Sequence, residues 1–338
     1  MCDTSCAPAG LPSSTLSSSL NSPSAPATDN DDTLDVFEDA LSSIFEEHMP
    51  AKGDPGCTFT YTPPFSTGLP PLSCRIPPQR VNSLFAHHVW SSGLRIADTL
   101  AERSLIVEGE DVVELGAGAG IVGLMAARMG AKRVVLTDYD DPALVANLRS
   151  NISSAFPDSP DRREGLYALG HTWGEETSLQ AVLAANDFSP FTHILLADTI
   201  WLSAGHSALL SSLVRLLART PRARIHICSG FHSGRATVRS FLRKARKEGL
   251  VRRGKWEEVG VKGERRDWGW DGTVQRSGRE EGDVGRRAEE EEVEEDEWEE
   301  KEDLSERNKW VVEGDLGWCD EVLDDVRGSS GAFQQLRS

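Results

Sequence analysis

Along residues 84 to 250, apolar positions switch repeatedly between helical and strand-like spacing. "LRIADTLAER" (94–103) sets Leu94, Ala97, Leu100 and Ala101 on one helical face, and "DVVEL" (111–115) follows as a short apolar strand. "IVGLMAARMG" (121–130) predicts a helix ending at Gly130, and "RVVLTD" (133–138) a second strand. Asp141 followed by Pro142 is an N-cap and first-turn signal for a helix through about Asn151. "LYALGHTW" (166–173), "HILLAD" (193–198) and "RIHICS" (224–229) read as three more strands. Between them lie a short helix, "SLQAVLAAN", and a stripe of Leu209, Leu210, Leu213, Leu216 and Leu217. "GRATVRSFLRKARKEGLVRR" (234–253) is amphipathic, with Val238, Phe241, Leu242 and Ala245 inward. Beyond residue 250, "WEEVGV" and "NKWVVEG" look like two late strands separated by a charged insertion. Strands alternating with helices of this length predict an α/β fold: a doubly wound, mostly parallel sheet covered on both faces.

Composition changes this picture at the ends. Residues 1–33 are rich in Ser, Pro, Ala, Thr and Asp and are expected to be disordered. Residues 34–328 are expected to form one domain, and 329–338 a flexible C-terminus. Of the formal net charge of −18, about −11 comes from residues 279–303, where fifteen acidic side chains face four basic ones. Such a block repels itself and should stay solvated. The basic face of 234–253 reads first as a solvated surface, with an acidic or nucleic-acid partner as the lesser alternative. Six cysteines, at 2, 6, 57, 74, 228 and 319, form no CxxC pair, which supports neither a disulfide framework nor a zinc site. With no signal-like or membrane-length apolar run, the expectation is a cytoplasmic monomer that engages neither membrane nor nucleic acid.

Candidate chemistry centres on "VVELGAGAGIVG" (112–123). Strand, glycine-rich turn and helix in that order let backbone approach a ligand closely. Gly116, Gly118 and Gly120 remove side chains at the turn, and the next helix offers unpaired N–H groups. Asp138 closes the neighbouring strand about 20 residues on, where a carboxylate can accept both ribose hydroxyls. The ligand expected is a nucleoside. Gly118, Gly120 and Gly123 satisfy GxGxxG, so NAD has to be weighed. Glu114 inside the strand, and a motif that starts after an earlier helix, favour S-adenosyl-L-methionine (SAM) instead, with Glu114 at the cofactor's amino-acid end.

"FAHHVWSSGLRIADTL", "TDYDDPALVANLRSNI", "HTWG", "LLADTIWLSAGH" and "CSGFHSGR" continue the series. With the glycine loop they resemble the fungal nicotinamide N-methyltransferase-like proteins. These are also called protein N-terminal and lysine methyltransferases, within family 16 of the seven-β-strand SAM-dependent methyltransferases. The resemblance covers roughly residues 84–260 and resumes near "NKWVVEG". It implies a Rossmann-like sheet ordered 3-2-1-4-5-7-6 with strand 7 antiparallel, and puts the acidic run between strands 6 and 7. It also implies that Trp90 lies over the cofactor, that Gly116, Ala117 and Gly118 meet its amino-acid end, and that Asp138 holds the ribose. Trp173 falls beside the adenine, with Ala197 in contact just before Asp198. Relatives that methylate lysine carry Asp-x-x-Tyr or Asp-x-x-Phe after strand 4, where this chain has Asp198 to Trp201. That difference bears on the shape of the acceptor channel.

Asp198 is the candidate catalytic residue, orienting an amine whose path Trp201 lines; the alternative is that Asp198 caps the following turn. His87, His88 and His232 lack a third ligand at metal spacing, so no metal is expected, and His88 reads as a support for the Trp90 loop. Three functions stay open. One is N-methylation of a protein amine, N-terminal or lysine, with translation elongation factor 1-alpha as the family's precedent. Another is N-methylation of nicotinamide or a similar pyridine. The last is a non-catalytic module of the same fold.

Overall fold

The computed structural model describes residues 51–78, 86–157, 163–260, 263–269, 307 and 309–325. The arm 1–33, the acidic run 279–303 and the tail 329–338 lie outside the described residues. Four short strands, in two pairs, precede the main sheet. β1 (Ala51–Lys52) pairs with β4 (Val89–Trp90), and β2 (Thr58–Tyr61) forms a hairpin with β3 (Leu72–Arg75). Helix α1 (Ser91–Ala101) leads into β5 (Asp111–Leu115), α2 (Ile121–Arg128), β6 (Arg133–Asp138) and α3 (Pro142–Ala155). Then come β7 (Leu166–Gly170), α4 (Glu176–Ala184), β8 (His193–Ala197), α5 (His206–Leu216) and β9 (Arg224–Gly230). Helix α6 (Gly234–Lys247), β10 (Leu250–Gly260), β11 (Arg265–Asp267) and β12 (Trp310–Trp318) complete the order.

The sheet runs β11-β10-β12-β9-β8-β5-β6-β7. β7, β6, β5, β8 and β9 are parallel, and β12 is antiparallel to both of its neighbours. Numbered from β5 as strand 1, this is the expected 3-2-1-4-5-7-6 order, with β11 added at the edge. Alternate residues of each central strand feed opposite layers. Val112, Val134, Leu136 and Leu195 join the core beneath α1, α2 and α3. Val113, Val135, Ile194 and Leu196 join the core beneath α4, α5 and α6. Continuous apolar runs are what a sheet buried on both faces requires.

Three details depart from the pattern-based reading. α6 ends at Lys247, because Gly249 takes a φ of +78° just past it; Leu250–Arg253 therefore belong to β10, which bulges between Arg253 and Glu257. β7 stops at Gly170, where the chain turns inward so that His171 hydrogen-bonds Ser178 and Ser212 across 2.9 and 3.0 Å. The β2–β3 hairpin packs Tyr61, Leu72 and Cys74 into the core beneath α1–α3. Asn151 of α3 pins that hairpin to the glycine loop, accepting from the Arg75 N–H and donating to the carbonyls of Arg75 and Ala119. Asp141 does cap α3, accepting from the N–H groups of Ala143 and Leu144.

Candidate active site

The carboxyl ends of β6, β5, β8 and β9 converge at the point where the order reverses between β5 and β8. A doubly wound sheet opens its ligand crevice there. A cavity of about 290 Å³ occupies that position. It is lined by Trp90, Glu114, Gly116, Ala117, Gly118, Asp138, Trp173, Ala197, Asp198 and Trp201, all singled out in the sequence. Gly120 stands behind the wall. Its φ is +81°, and a Cβ there would lie 2.8 Å from Leu136 and 3.0 Å from Leu148, so it shapes the loop from the core side.

At the donor end the groups are mostly backbone. Gly116 has a φ of +74°, and a Cβ on it would come within 2.7 Å of the Thr199 methyl. Asp138, buried, accepts from the N–H of Gly118 at 2.6 Å and from that of Tyr139 at 2.7 Å. Burial pushes its carboxyl above the usual range, and those two N–H groups oppose the shift. A carboxylate has about four acceptor positions, which leaves two of its positions for a diol. Glu114 turns Oε2 to the N–H of Gly123 in the first turn of α2, at 2.8 Å. It thus braces the loop onto the helix while still lining the cavity. Burial pushes the Glu114 carboxyl up to about 8, with the charge of Asp138 adding to the effect.

Asp198 lies just past β8, in the same cavity wall, and is 8% exposed. Its φ of +56° is an uncommon conformation, one that Asp tolerates better than most residues. Oδ1 accepts from the Gly230 N–H at 3.0 Å, and Oδ2 from Ser92 Oγ and His232 Nε2, each at 3.1 Å. The side chain therefore does not cap the turn that follows; it gathers α1, β9 and the loop before α6 around one carboxylate. Although burial works the other way, the charge of His232 and these donors hold Asp198 below its usual range. The Trp90 ring lies 4.9 Å from that of His232 and 5.8 Å from that of His88, which does back the Trp90 loop. Trp173 packs beside Gly116 and Gly205, and Trp201 is held by Ser233 Oγ donating to its carbonyl at 2.6 Å.

Sequence reasoning missed Thr199, Ser92 and Tyr139. Thr199 is 5% exposed and lines the cavity, and its Oγ1 has no hydrogen-bond partner among the described residues. Such an orphan calls for a ligand or water. It lies in the same "ADTIW" stretch as Asp198, so motif reading could have found it. Tyr139 is 45% exposed at the donor rim, and Ser92 carries no local signal at all.

A family model described as lysine methyltransferase matches residues 73–248, more than half of the chain. The chain belongs to the lysine methyltransferase family. This is a family of SAM-dependent methyl-transferring enzymes, and the cavity fits that cofactor: bare backbone at Gly116–Gly118, spare acceptor positions on Asp138 and an unspent hydroxyl on Thr199. Similar proteins include the protein N-terminal and lysine N-methyltransferase efm7 of Schizosaccharomyces pombe, 32% identical over 154 residues, covering 45% of this chain and 58% of that protein. Its Candida glabrata namesake is 33% identical over 140 residues, covering 41% and 54%. The chain spans little more than half the length of the curated relatives it matches. Among solved structures, a branched-chain polyamine synthase from Thermus thermophilus overlaps at a TM-score of 0.39 with 19% identity, covering 68% of this chain and 56% of that one.

Proposed function

We propose that this lysine methyltransferase family member transfers a methyl group from SAM to an amine of a protein, either an N-terminal amine or a lysine. By resemblance, translation elongation factor 1-alpha is the first protein to test. The observation that carries the reading is the acceptor side of the cavity. A buried carboxylate shares the cavity wall with two half-buried tryptophans, Trp90 and Trp201, and Ser203 and Ala204, just beyond Leu202, are exposed. A chain-borne amine can reach such a site from solvent. The names of the relatives favour the same substrate class.

When bound, SAM supplies an electrophilic methyl on a sulfonium. The residues of this chain do the rest by placement, an effect worth up to about 7–11 kcal/mol when reacting atoms are held in line. Gly116–Gly118, Asp138 and Thr199 fix the donor. Trp90 and Trp201 wall the approach and exclude water. Asp198 accepts an N–H of the amine, so that the nitrogen lone pair points at the methyl carbon. SAM held by these residues would supply the methyl as its carbon–sulfur bond breaks, and the methylated amine would give up its surplus proton to solvent on leaving. This reading has the enzyme work as a monomer in the cytoplasm.

The test is label transfer from SAM with a labelled methyl group, offered to cell extract and separately to nicotinamide. Label on a protein band, and none on nicotinamide, is the expected result. Label confined to nicotinamide would overturn the protein substrate in favour of a pyridine.

A further inference from the structure

His232 came through the sequence as a histidine without a role, and it is not part of the cavity wall. Its position is nonetheless specific. It lies in the loop between β9 and α6, its ring folds back over Gly230, and its Nε2 meets Asp198 Oδ2 at 3.1 Å. A Cβ on Gly230 would come within 2.5 Å of that nitrogen and 2.8 Å of the adjacent ring carbon, so the bare backbone is what admits the ring. Asp198 is buried, and the His232 side chain is 11% exposed.

Lone-pair counting makes the arrangement informative. An ionised carboxylate offers about four acceptor positions. On Asp198, Ser92 and His232 fill the two on Oδ2, and the Gly230 N–H fills one on Oδ1. One position on Oδ1 is left, on a residue that lines the cavity. Charge matters as much as geometry. The attacking amine has to be neutral, whereas an uncompensated carboxylate beside it favours the ammonium form.

We propose that His232 is a positioning residue that forms a charge-neutral dyad with Asp198, fixing and compensating the carboxylate so that its remaining lone pair orients the amine without retaining the amine's extra proton. The proposal rests on the N-methyltransfer reading above and adds to it the regulation of substrate protonation.

The surroundings agree. The charge of Asp198 and its hydrogen bond raise the imidazole against the effect of burial. Trp90, from the β4–α1 side, covers one face with an aromatic ring, and His88 lies beyond it. Cys228 of β9 is buried and held as a thiol, and Arg235 of α6 is engaged by Glu258 and stacked on Phe231. Of these groups, Asp198 is the anion in contact with the ring.

The experiment is histidine-selective NMR titration of the full chain, with the His232 signal assigned by its loss in His232→Gln. The expected result is an imidazole that titrates above the ordinary histidine range in the wild type and falls back in Asp198→Asn. A His232 signal at or below the ordinary range, or one unmoved by Asp198→Asn, overturns the proposal. In the label-transfer assay on extract protein, His232→Gln should move the acid limb of the pH–rate profile to higher pH and lower the rate at pH 7 about tenfold, as one pK unit implies. SAM binding by calorimetry should stay within about twofold. A profile that overlays the wild type at any rate would mean a merely structural role. Gly230→Ala displaces the ring without removing it and should shift the profile in the same direction. The titration needs no turnover: a wild type that methylates no amine while His232 titrates high would reject the proposed function and leave the dyad standing.

Discussion

The two ends of the cavity are built from different materials. The donor end is backbone plus one carboxylate, contributed by residues 116–118 and by Asp138, at the carboxyl ends of two adjacent parallel strands. At the acceptor end Asp198 lines the cavity and is held from behind by side chains of two other segments, Ser92 and His232, drawn together from positions up to 140 residues apart in sequence. A backbone site recognises what every member of a cofactor-using family shares. A side-chain site can be changed residue by residue, and there the resemblance sets Trp201 of this chain against the Tyr or Phe usual in lysine-methylating relatives.

Substitutions should separate the two ends. The largest effect is expected at the acceptor end: Asp198→Asn, which tolerates the left-handed backbone, should lower turnover by about 100-fold or more while SAM affinity changes by only a few-fold. Equal losses in both, measured by label transfer and calorimetry, would erase the distinction between the ends. Next comes Gly116→Ala at the donor end. With a positive φ and a Cβ 2.7 Å from the Thr199 methyl, it should weaken SAM binding at least about tenfold and destabilise the fold by roughly 1–3 kcal/mol, read in calorimetry and denaturant unfolding.

On methyl transfer a smaller effect is expected from Glu114→Gln, whose signature is read instead in thermal melts across pH. The folded-state pKa of Glu114 is raised from 4.5 to about 8. A raised value means that its stabilising contribution is complete below pH 4.5 and is lost as pH climbs through about 8. The variant should therefore gain on the wild type across that window and keep a constant lead above it. A lead independent of pH would show that the buried carboxyl does not titrate there. Smallest is Thr199→Val. Removing a hydroxyl that lacks a partner should cost about 1 kcal/mol of SAM affinity, roughly a fivefold change, and leave the ligand-free melting temperature equal or higher. Unchanged affinity would release Thr199 from the donor site.

The difference between the two ends is also a difference in legibility. Gly116, Gly118 and Gly120 are contiguous and lie between two apolar runs, so the loop, its helix and the carboxylate after the next strand could be read in order. Strand order 3-2-1-4-5-7-6 followed from the family pattern. β11 escaped because its three residues, Arg265–Asp267, are charged and exposed, and it is recognised by its pairing and by ion pairs such as Arg265 to Glu257. The β2–β3 hairpin escaped because its two strands are only four residues each, set in a proline-rich stretch. Asp198 was named from its motif, but its partners were not.

By itself, the sequence determined what depends on neighbours along the chain: the alternation of strand and helix, the cap at Asp141, the glycine turn and its nucleoside ligand. These follow from periodicity, from backbone freedom at glycine and from hydrogen bonds that close within a few residues. The tertiary structure decided which donors surround Asp198, why Gly230 has to be bare, and which atom of Asp198 still has a lone pair to offer. Those are facts of proximity between distant segments, and no local pattern in the chain encodes them.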